Sequence, residues 1–394
     1  MRTRKPHVFL IGLFAALLAA SYVLVAAFGT TKGSVKPQTD DRTEDAAVSG
    51  DDAENSVVAE EDAAITVVTS FYPMYIAAMN LLDGVNGVSL YNLSEPQTGC
   101  LHDYQLVPSD MELLSDADIF IINGGGMESF LDDVIKAYPN LTVIDTSGAI
   151  AWNEAIHNTD AHDDADDTDE HDADGEGIAD ARDDAGDTDE HDDHDHEVNA
   201  HFWLSVPLYR MQVEAMTDGL AAYLNTDKEK QTTLRPDEKA RSAMMTAISD
   251  NSSSYLAKID ELIAREDALR QRLQGLKTIT FFDGFAYALM DYRLSAVYSL
   301  DLDEERQISA GEVAQVVSAV QNAGDNKPVI LAEERYGAEL AETVRKETGA
   351  TVIYLDPIVR GDAASGDGGS AYDKDAYITR MGKNMDLLEE VKER

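Results

Sequence analysis

The sequence predicts an α/β fold of two similar lobes, each a mainly parallel four-stranded sheet flanked by helices, joined by a long linking helix. Short apolar or β-branched segments alternate with helical segments, a pattern typical of parallel sheets built from βα units. This alternation occurs twice along the 394 residues. Between the two occurrences, residues 236–274 are almost free of glycine and proline after Pro236. A proline followed by such a stretch indicates the start of a long helix.

We predict the first lobe over residues 63–235. Its strand segments are apolar or β-branched: ITVVTSF (65–71), GVSLYNL (87–93), ADIFIING (117–124) and LTVIDTS (141–147). Helical segments lie between these strands: 74–82, 108–116 and 127–138. The glycines of NGGGMES (123–129) lack the GxxxxGK[ST] pattern of a phosphate-binding loop and lie in an acidic lobe. A tight turn from strand to helix is therefore favoured over a phosphate site.

We predict the linking helix over residues 236–274, as one helix or two nearly collinear ones, and the second lobe over 275–394. The second lobe repeats the pattern of the first. Its strand segments are LKTITFFDG (276–284), LSAVYSL (294–300), PVILAEE (328–334) and TVIYLDP (351–357). Its helical segments are 309–323 and 338–348.

Residues 1–29 are typical of a signal or anchor segment. The basic sequence MRTRKPH precedes Val8 to Phe28, a stretch without charged residues that is long enough to span a bilayer. Basic residues ahead of such a span place the rest of the chain on the extracellular or periplasmic side of the membrane. An uncleaved anchor is favoured over a long, cleaved signal peptide. Residues 30–62 are acidic and without apolar periodicity, which predicts a disordered tether.

The charge and the cysteine content exclude several classes of protein. The formal net charge is −44, and such a field repels nucleic acid and attracts cations. We therefore expect no binding to DNA or RNA. Cys100 is the single cysteine of the chain, so neither a disulfide within the chain nor a CxxC metal site can form. We interpret Cys100 as a small packed residue.

Residues 158–197 predict a disordered loop, rich in histidine and aspartate, within the first lobe. Its low hydrophobicity and high charge cannot build a core. The segment DDADDTDEHD (163–172) returns as DDAGDTDEHD (183–192). The loop holds five of the nine histidines: His162, His171, His191, His194 and His196. Imidazole and carboxylate donors favour weak capture of divalent ions such as Zn²⁺. The alternative is a solvated acidic linker whose histidines have no role.

Several motifs in a fixed order resemble a known family. They are SFYPMY (70–75), LHDYQ (101–105), the H-x-W motif of residues 201–203, FFDGFAYAL (281–289), LAEERY (331–336) and YLDP (354–357). In this order the chain from Ile65 to Arg394 resembles the cluster A-I solute receptors of ATP-binding-cassette importers, which bind zinc or manganese. The resemblance implies a receptor, not an enzyme, that holds Zn²⁺ in the cleft between the lobes. It also implies delivery of the ion to a membrane permease that is driven by a cytoplasmic ATPase.

The resemblance also implies a set of metal ligands. The family's ligand positions match His102, His201 and Asp356, whereas the fourth position, a histidine or glutamate in the family, is Phe282 here. Zn²⁺ accepts three protein ligands with water or another donor in the fourth position. Water or a histidine of the loop is favoured for that position. The other substitutes are Asp283, Glu333 and Glu334.

Four alternatives stay open at this stage. Imidazole donors favour Zn²⁺, but two histidines and one aspartate also suit Mn²⁺, Co²⁺ or Ni²⁺. The chain is then a manganese-specific receptor. The second alternative, based on Phe282 at the fourth ligand position, is a degenerate receptor with poor affinity. A surface metal-binding or adhesive protein without transport is the third alternative. A hydrolytic zinc enzyme is the least favoured, because no H-E-x-x-H motif or general base can be identified. We expect a monomer, with the histidine-rich loop as an accessory collector or sensor.

Overall fold

The computed structural model describes residues 65–94, 104–150, 156, 198–226, 236–302, 308–361 and 373–391. All of them belong to one compact unit, Glu54–Arg394. The predicted signal or anchor segment, the tether, His102 and the histidine-rich loop lie outside the described residues. Among the described helices, none combines the length and the hydropathy that crossing a membrane requires.

The first lobe contains a four-stranded parallel sheet with the strand order β2-β1-β3-β4. Its strands are β1 (Ile65–Thr69), β2 (Val88–Asn92), β3 (Ile119–Ile122) and β4 (Thr142–Asp145). The helices that connect them are α1 (Tyr72–Leu81), α2 (Pro108–Ser115) and α3 (Leu131–Ala137). Strand β3 reads IFII and is buried along its whole length, as expected for a central strand that is covered on both faces.

The second lobe contains another four-stranded parallel sheet, with the order β6-β5-β7-β8. Its strands are β5 (Lys277–Thr280), β6 (Ser295–Ser299), β7 (Val329–Ala332) and β8 (Val352–Tyr354). In both sheets the second strand along the chain lies at one edge, followed by the first, third and fourth. The lobes therefore share one topology, and the predicted fold of two similar α/β lobes is confirmed.

A single helix of 36 residues crosses from one lobe to the other. The helices that follow β4 in the chain are α4 (Val206–Asn225), α5 (Glu238–Leu273), α6 (Ala286–Tyr292), α7 (Ala310–Asn322), α8 (Glu334–Thr348) and α9 (Ala376–Glu390). The linking helix is α5, and the Asp237 side chain accepts a hydrogen bond from the Ala240 amide at its start, 2.8 Å away. Its buried residues include Ile248, Tyr255 and Ile259, spaced seven and four positions apart, and this face contacts helices of both lobes.

The structure contains three helices that the sequence did not predict, and a fourth helix begins later than predicted. Helices α4, α6 and α9 were not predicted, although all three pack against the linking helix. The apolar positions of α4 and α9 are interrupted by charged residues such as Arg210 and Arg380, which bond to Asp260 and Asp356 outside their own helices. The predicted helix 127–138 begins only at Leu131, because residues 123–130 turn first. Gly125 in this turn has φ +63°, and a Cβ atom there would lie 2.5 Å from the Phe202 ring. The interpretation of these glycines as a tight turn agrees with this geometry.

Candidate metal centre

The candidate site lies where the carboxyl ends of strands from both sheets meet residues 199–205. In the second sheet, Phe282, Glu333 and Asp356 follow β5, β7 and β8 within two residues. In the first sheet, Asn123 follows β3 and its Nδ2 donates to the Ala200 carbonyl, 2.8 Å away. Ligand sites in α/β proteins form at this end of parallel strands, because the loops that follow neighbouring strands converge there.

His201 lies in this segment, with 1% of its surface exposed. Its Nδ1 atom is 2.9 Å from Oδ1 of Asn199. The amide orientation of Asn199 is settled because its Nδ2 donates to the Asp283 carbonyl, 3.1 Å away, so its Oδ1 is an acceptor. Nδ1 of His201 therefore carries a proton. In the neutral ring, Nε2 is then the nitrogen whose lone pair can bind a metal ion.

The second lobe holds Asn199 in place. Besides the bond to the Asp283 carbonyl, the Tyr287 hydroxyl donates to the Asn199 carbonyl, 2.6 Å away. A histidine of the first lobe is thus oriented by a neighbour whose own position depends on the second lobe. Sequence reasoning missed the role of Asn199 and Tyr287, because nothing in the sequence shows that either residue lies beside His201.

Phe282, at the family's fourth ligand position, packs against His201. The two ring centroids are 4.9 Å apart with an interplanar angle of 78°, an edge-to-face arrangement. A phenyl ring has no atom that can bind a metal ion, so its contribution here is packing. Gly284 permits this close approach, since a Cβ atom there would lie 2.9 Å from Cγ of His201 and 2.8 Å from Cδ1 of Leu204.

Asp283 is next to the same imidazole. Its Oδ2 lies 3.5 Å from Nδ1 of His201, the nitrogen that donates to Asn199. In this position the carboxylate favours a proton on Nδ1 through its negative charge. The geometry therefore suits Asp283 as a residue that stabilises the ligand tautomer.

Three residues hold Asp356 through five hydrogen bonds. Arg380 forms a bidentate pair with its carboxylate, with Nε 2.5 Å from Oδ2 and Nη2 2.8 Å from Oδ1. The Ile358 amide donates to Oδ1 at 2.8 Å. The Asn384 side chain bonds both the amide and the carbonyl of Asp356, each at 2.8 Å. These contacts fix the backbone and the carboxylate of Asp356 together.

The segments of His201 and Asp356 are bonded to each other. Nε1 of Trp203, two residues after His201, donates to the carbonyl of Pro357, 2.8 Å away. The Tyr377 hydroxyl, on α9, donates to the Trp203 carbonyl, also at 2.8 Å. The structure therefore brings together one predicted ligand segment from each lobe.

The two predicted glutamates lie at the start of helix α8. Oε2 of Glu333 accepts a hydrogen bond from the Tyr336 amide at 2.8 Å, as a helix-capping residue does. Burial raises the pKa of Glu333 above its usual range, against the opposing effects of this hydrogen bond and of the Arg360 charge. Glu334 is in the first turn of the same helix.

The described residues do not contain a complete metal site. Within residues 65–94, 104–150 and the later described ranges, no three side chains of histidine, cysteine, aspartate or glutamate are grouped as a metal ion requires. His102 and the five loop histidines lie outside these ranges. The ligand set of His102, His201 and Asp356 therefore stays a prediction.

Comparison with known proteins relates the chain to metal receptors. The family model described as "Zinc-uptake complex component A periplasmic" (ZnuA) matches residues 67–391. The zinc-binding protein AdcA of Streptococcus pyogenes serotype M3 is 24% identical over 327 residues, or 82% of this chain and 55% of AdcA. The high-affinity zinc uptake system protein ZnuA of Bacillus subtilis is 26% identical over 383 residues, or 96% of each chain. This chain thus spans about half the length of AdcA and nearly all of that ZnuA.

A solved structure supports the fold. The SBP FpvC of Pseudomonas aeruginosa, in complex with Mn²⁺, superposes with a TM-score of 0.60. The alignment covers 84% of this chain and 99% of FpvC, with 17% sequence identity. At this identity, the likeness shows that the two proteins share the two-lobed architecture.

Proposed function

Because the chain belongs to the family of periplasmic zinc-uptake complex component A, we propose that it is the metal receptor of an ATP-binding-cassette importer. It binds Zn²⁺ in the cleft between its lobes and delivers the ion to a membrane permease that a cytoplasmic ATPase drives. The zinc-binding and zinc-uptake names of AdcA and ZnuA support the choice of zinc. Two imidazole ligands support it as well. Mn²⁺ is the second candidate, since FpvC binds it on the same fold.

The orientation of His201 is the observation that carries this proposal. A metal-binding histidine usually donates its second ring N–H to a protein acceptor, which fixes its tautomer. Asn199 is such an acceptor for His201, at 2.9 Å. The hydrogen bond from Trp203 to Pro357 holds this segment against the segment of Asp356. An imidazole prepared for metal binding and a carboxylate thus approach from opposite lobes.

We propose His102, His201 and Asp356 as the protein ligands. Phe282 leaves the fourth position to water or to a histidine of the loop, from among His162, His171, His191, His194 and His196. Zn²⁺ tolerates this arrangement because three protein ligands and one exchangeable ligand complete its tetrahedral coordination. Asp283, Glu333 and Glu334 are less suited, since Asp283 lies beside Nδ1 of His201 and Glu333 caps a helix.

We further propose that the receptor acts as a monomer on the outer side of the cell membrane. The family description as periplasmic supports this location. Residues 1–29 either anchor the protein or are removed, and residues 30–62 connect them to the first lobe. The histidine-rich loop collects metal near the cleft or senses its abundance.

Calorimetric titration of the full-length protein with Zn²⁺ tests the ligand set. We expect one tight site that survives deletion of residues 158–197. Substitutions H102A, H201A and D356A each remove a ligand, and we expect each to weaken this site by more than about 100-fold. His157 is outside the proposed set, so H157A serves as the matched control and is expected to bind normally.

Three outcomes of this titration are informative. Normal binding by H201A would refute the site. Loss of tight binding on deletion of the loop would show that a loop histidine supplies the fourth ligand. A tighter site for Mn²⁺ than for Zn²⁺ would make the protein a manganese receptor.

A further inference from the structure

We propose that Arg380 determines the metal affinity of this cleft. Its guanidinium group stays paired with Asp356 when the metal ion binds, and its positive charge keeps the affinity lower than the three ligands would otherwise produce. This inference rests on the proposed function, because it assumes that Asp356 is a ligand. It concerns a residue that contacts a ligand, not a further ligand.

The pair between Arg380 and Asp356 is firmly held. Both nitrogens of the guanidinium fork reach the carboxylate, at 2.5 and 2.8 Å, and Nη1 of Arg380 donates to the Arg360 carbonyl. Only 16% of the Arg380 side chain is exposed. Bidentate pairs of this kind are stronger and geometrically better defined than exposed single-contact pairs.

Helix α9 fixes the position of the guanidinium group. Arg380 and Asn384 are four residues apart and therefore lie on the same face of the helix. Both contact Asp356, Arg380 through the carboxylate and Asn384 through the backbone. The helix is in turn bonded to the linking helix, where Nη1 of Arg265 donates to the Gly382 carbonyl at 3.1 Å.

The carboxylate of Asp356 keeps room for a metal ion while it is paired. Each carboxylate oxygen offers two lone pairs. Oδ1 accepts hydrogen bonds from the Ile358 amide and from Arg380, and these two bonds occupy both of its lone pairs. Oδ2 accepts from Arg380, and no second donor reaches it from the described residues. Since 34% of the side chain is exposed, a metal ion can bind Oδ2 without displacing the arginine.

The consequence is electrostatic. Two neutral histidines and one carboxylate give a ligand set with a charge of −1, and the adjacent guanidinium cancels it. Only the Asp356 carboxylate separates the guanidinium group from the bound dication. Screening of this repulsion by solvent is weak, because the groups are partly buried. The site therefore holds its dication less tightly than the ligands alone predict. Weaker binding favours release of the ion to a partner.

Two neutral variants test this inference in the full-length protein. We expect R380M and R380Q to bind Zn²⁺ roughly tenfold more tightly in a competition titration with a chromogenic chelator. Glutamine keeps one N–H donor for Asp356, so R380Q covers the case in which R380M is poorly folded. We expect R380K, which keeps the charge, to stay within about threefold of the wild type.

The matched control is K383M. Lys383 is exposed on the same helix, and its replacement removes the same charge from the chain. We expect K383M to change the affinity by less than about twofold. A role of Arg380 in orienting Asp356 alone predicts the opposite sign, namely weaker binding by R380M and R380Q.

The outcomes separate this inference from the proposed function. If the wild type binds Zn²⁺ tightly and depends on His201 and Asp356, but the neutral variants bind equally or less tightly, the role of Arg380 is refuted and the receptor stands. If the wild type has no tight site, or one that is insensitive to H201A and D356A, the proposed function itself fails. Tighter binding by both neutral variants, with K383M unchanged, supports the inference.

Discussion

At the scale of single residues, Asn199 decides which nitrogen of His201 can meet a metal ion. Its side-chain oxygen Oδ1 accepts from Nδ1 of His201, and its side-chain nitrogen Nδ2 donates to the Asp283 carbonyl of the other lobe. A side chain that only contacts a ligand can thus matter for binding, because it selects the tautomer of the imidazole.

We therefore expect N199A to lower the affinity for Zn²⁺ by about 10–100-fold. N199D keeps an acceptor for Nδ1 of His201 and is the matched control, with a smaller loss. Chelator competition measures the affinity, and ¹⁵N NMR of labelled histidine reports the tautomer in the metal-free protein. Unchanged affinity together with an unchanged tautomer in N199A would show that Asn199 does not orient the ring.

The residue scale also shows which site residues the sequence can reveal. His201 and Asp356 belong to recognisable motifs, H-x-W and L-D-P. Arg380 lies in a helix that was not predicted, and its role becomes visible only through its contacts with Asp356. A charged residue on a helix is ordinarily interpreted as solvent-exposed, so the sequence around Arg380 gives no indication that this residue contacts Asp356.

At the scale of elements, the turn after β3 depends on one buried carboxylate. Glu128 is 5% exposed, and its two oxygens accept from the amides of Asn123 and Gly124 at 2.8 and 3.0 Å. Burial raises the pKa of Glu128 from 4.5 to about 7, against the opposing effect of these hydrogen bonds. Asn123 in turn donates to the Ala200 carbonyl, one residue before His201.

This raised pKa makes part of the stability depend on pH. Between about pH 4.5 and 7 the folded protein holds a proton on Glu128 that the unfolded chain has lost. The free energy of unfolding therefore falls as the pH rises through this window, by up to roughly 3 kcal/mol for this group. We expect E128Q to lose that part of the pH dependence in chemical unfolding at pH 5 and pH 8.

E128Q has a second expected effect, because its amide nitrogen cannot accept one of the two backbone N–H bonds. We expect it to be less stable than the wild type at pH 5 by about 1–3 kcal/mol. D132N, at an exposed acid in the following helix, is the control and should keep the pH dependence of the wild type. An equal pH dependence in E128Q would contradict the assignment.

The elements differ in how well their sequences predict them. The strands were placed within a few residues, because short β-branched segments between turns have a strong local signal. Helices α4 and α9 escaped prediction because their buried faces include polar residues such as Gln212 and Asn384, whose side chains bond to residues far away in the sequence. The linking helix was predicted, since its stretch lacks residues that break helices.

At the scale of the whole molecule, residues 199–203 join the two lobes. Asn199 bonds to Asp283 and Tyr287, and Trp203 bonds to Pro357 and Tyr377. Four hydrogen bonds thus connect the His201 segment of the first lobe to the second lobe. In the proposed receptor, release of a bound ion requires this segment to loosen, because His201 is buried within it.

We expect Y377F to loosen the segment without disrupting the core. Phenylalanine keeps the stacking of ring 377 on Tyr209, whose centroid is 3.6 Å away, but leaves the Trp203 carbonyl without its donor. We expect a loss of about 1–3 kcal/mol in the free energy of unfolding. We also expect faster hydrogen exchange in residues 199–205, measured by mass spectrometry.

The control for this substitution is Y298F, since the Tyr298 hydroxyl bonds to Gln315 within the second lobe. It should leave exchange in residues 199–205 unchanged. Exchange in Y377F that matches the wild type would show that the other three bonds are sufficient to hold the segment.

The sequence by itself determined the fold class, the duplication of the lobes, the long linking helix, the position of Asp356 after a strand and the motif that contains His201. These follow from periodicity and short motifs, which are local properties of the chain. Only the tertiary structure decided which neighbours control those two residues. Asn199 and Asp283 are 84 residues apart, Arg380 and Asp356 are 24 apart, and Tyr377 and Trp203 are 174 apart. Hydrogen bonds over such separations depend on how the lobes and helices pack, and no local pattern specifies them.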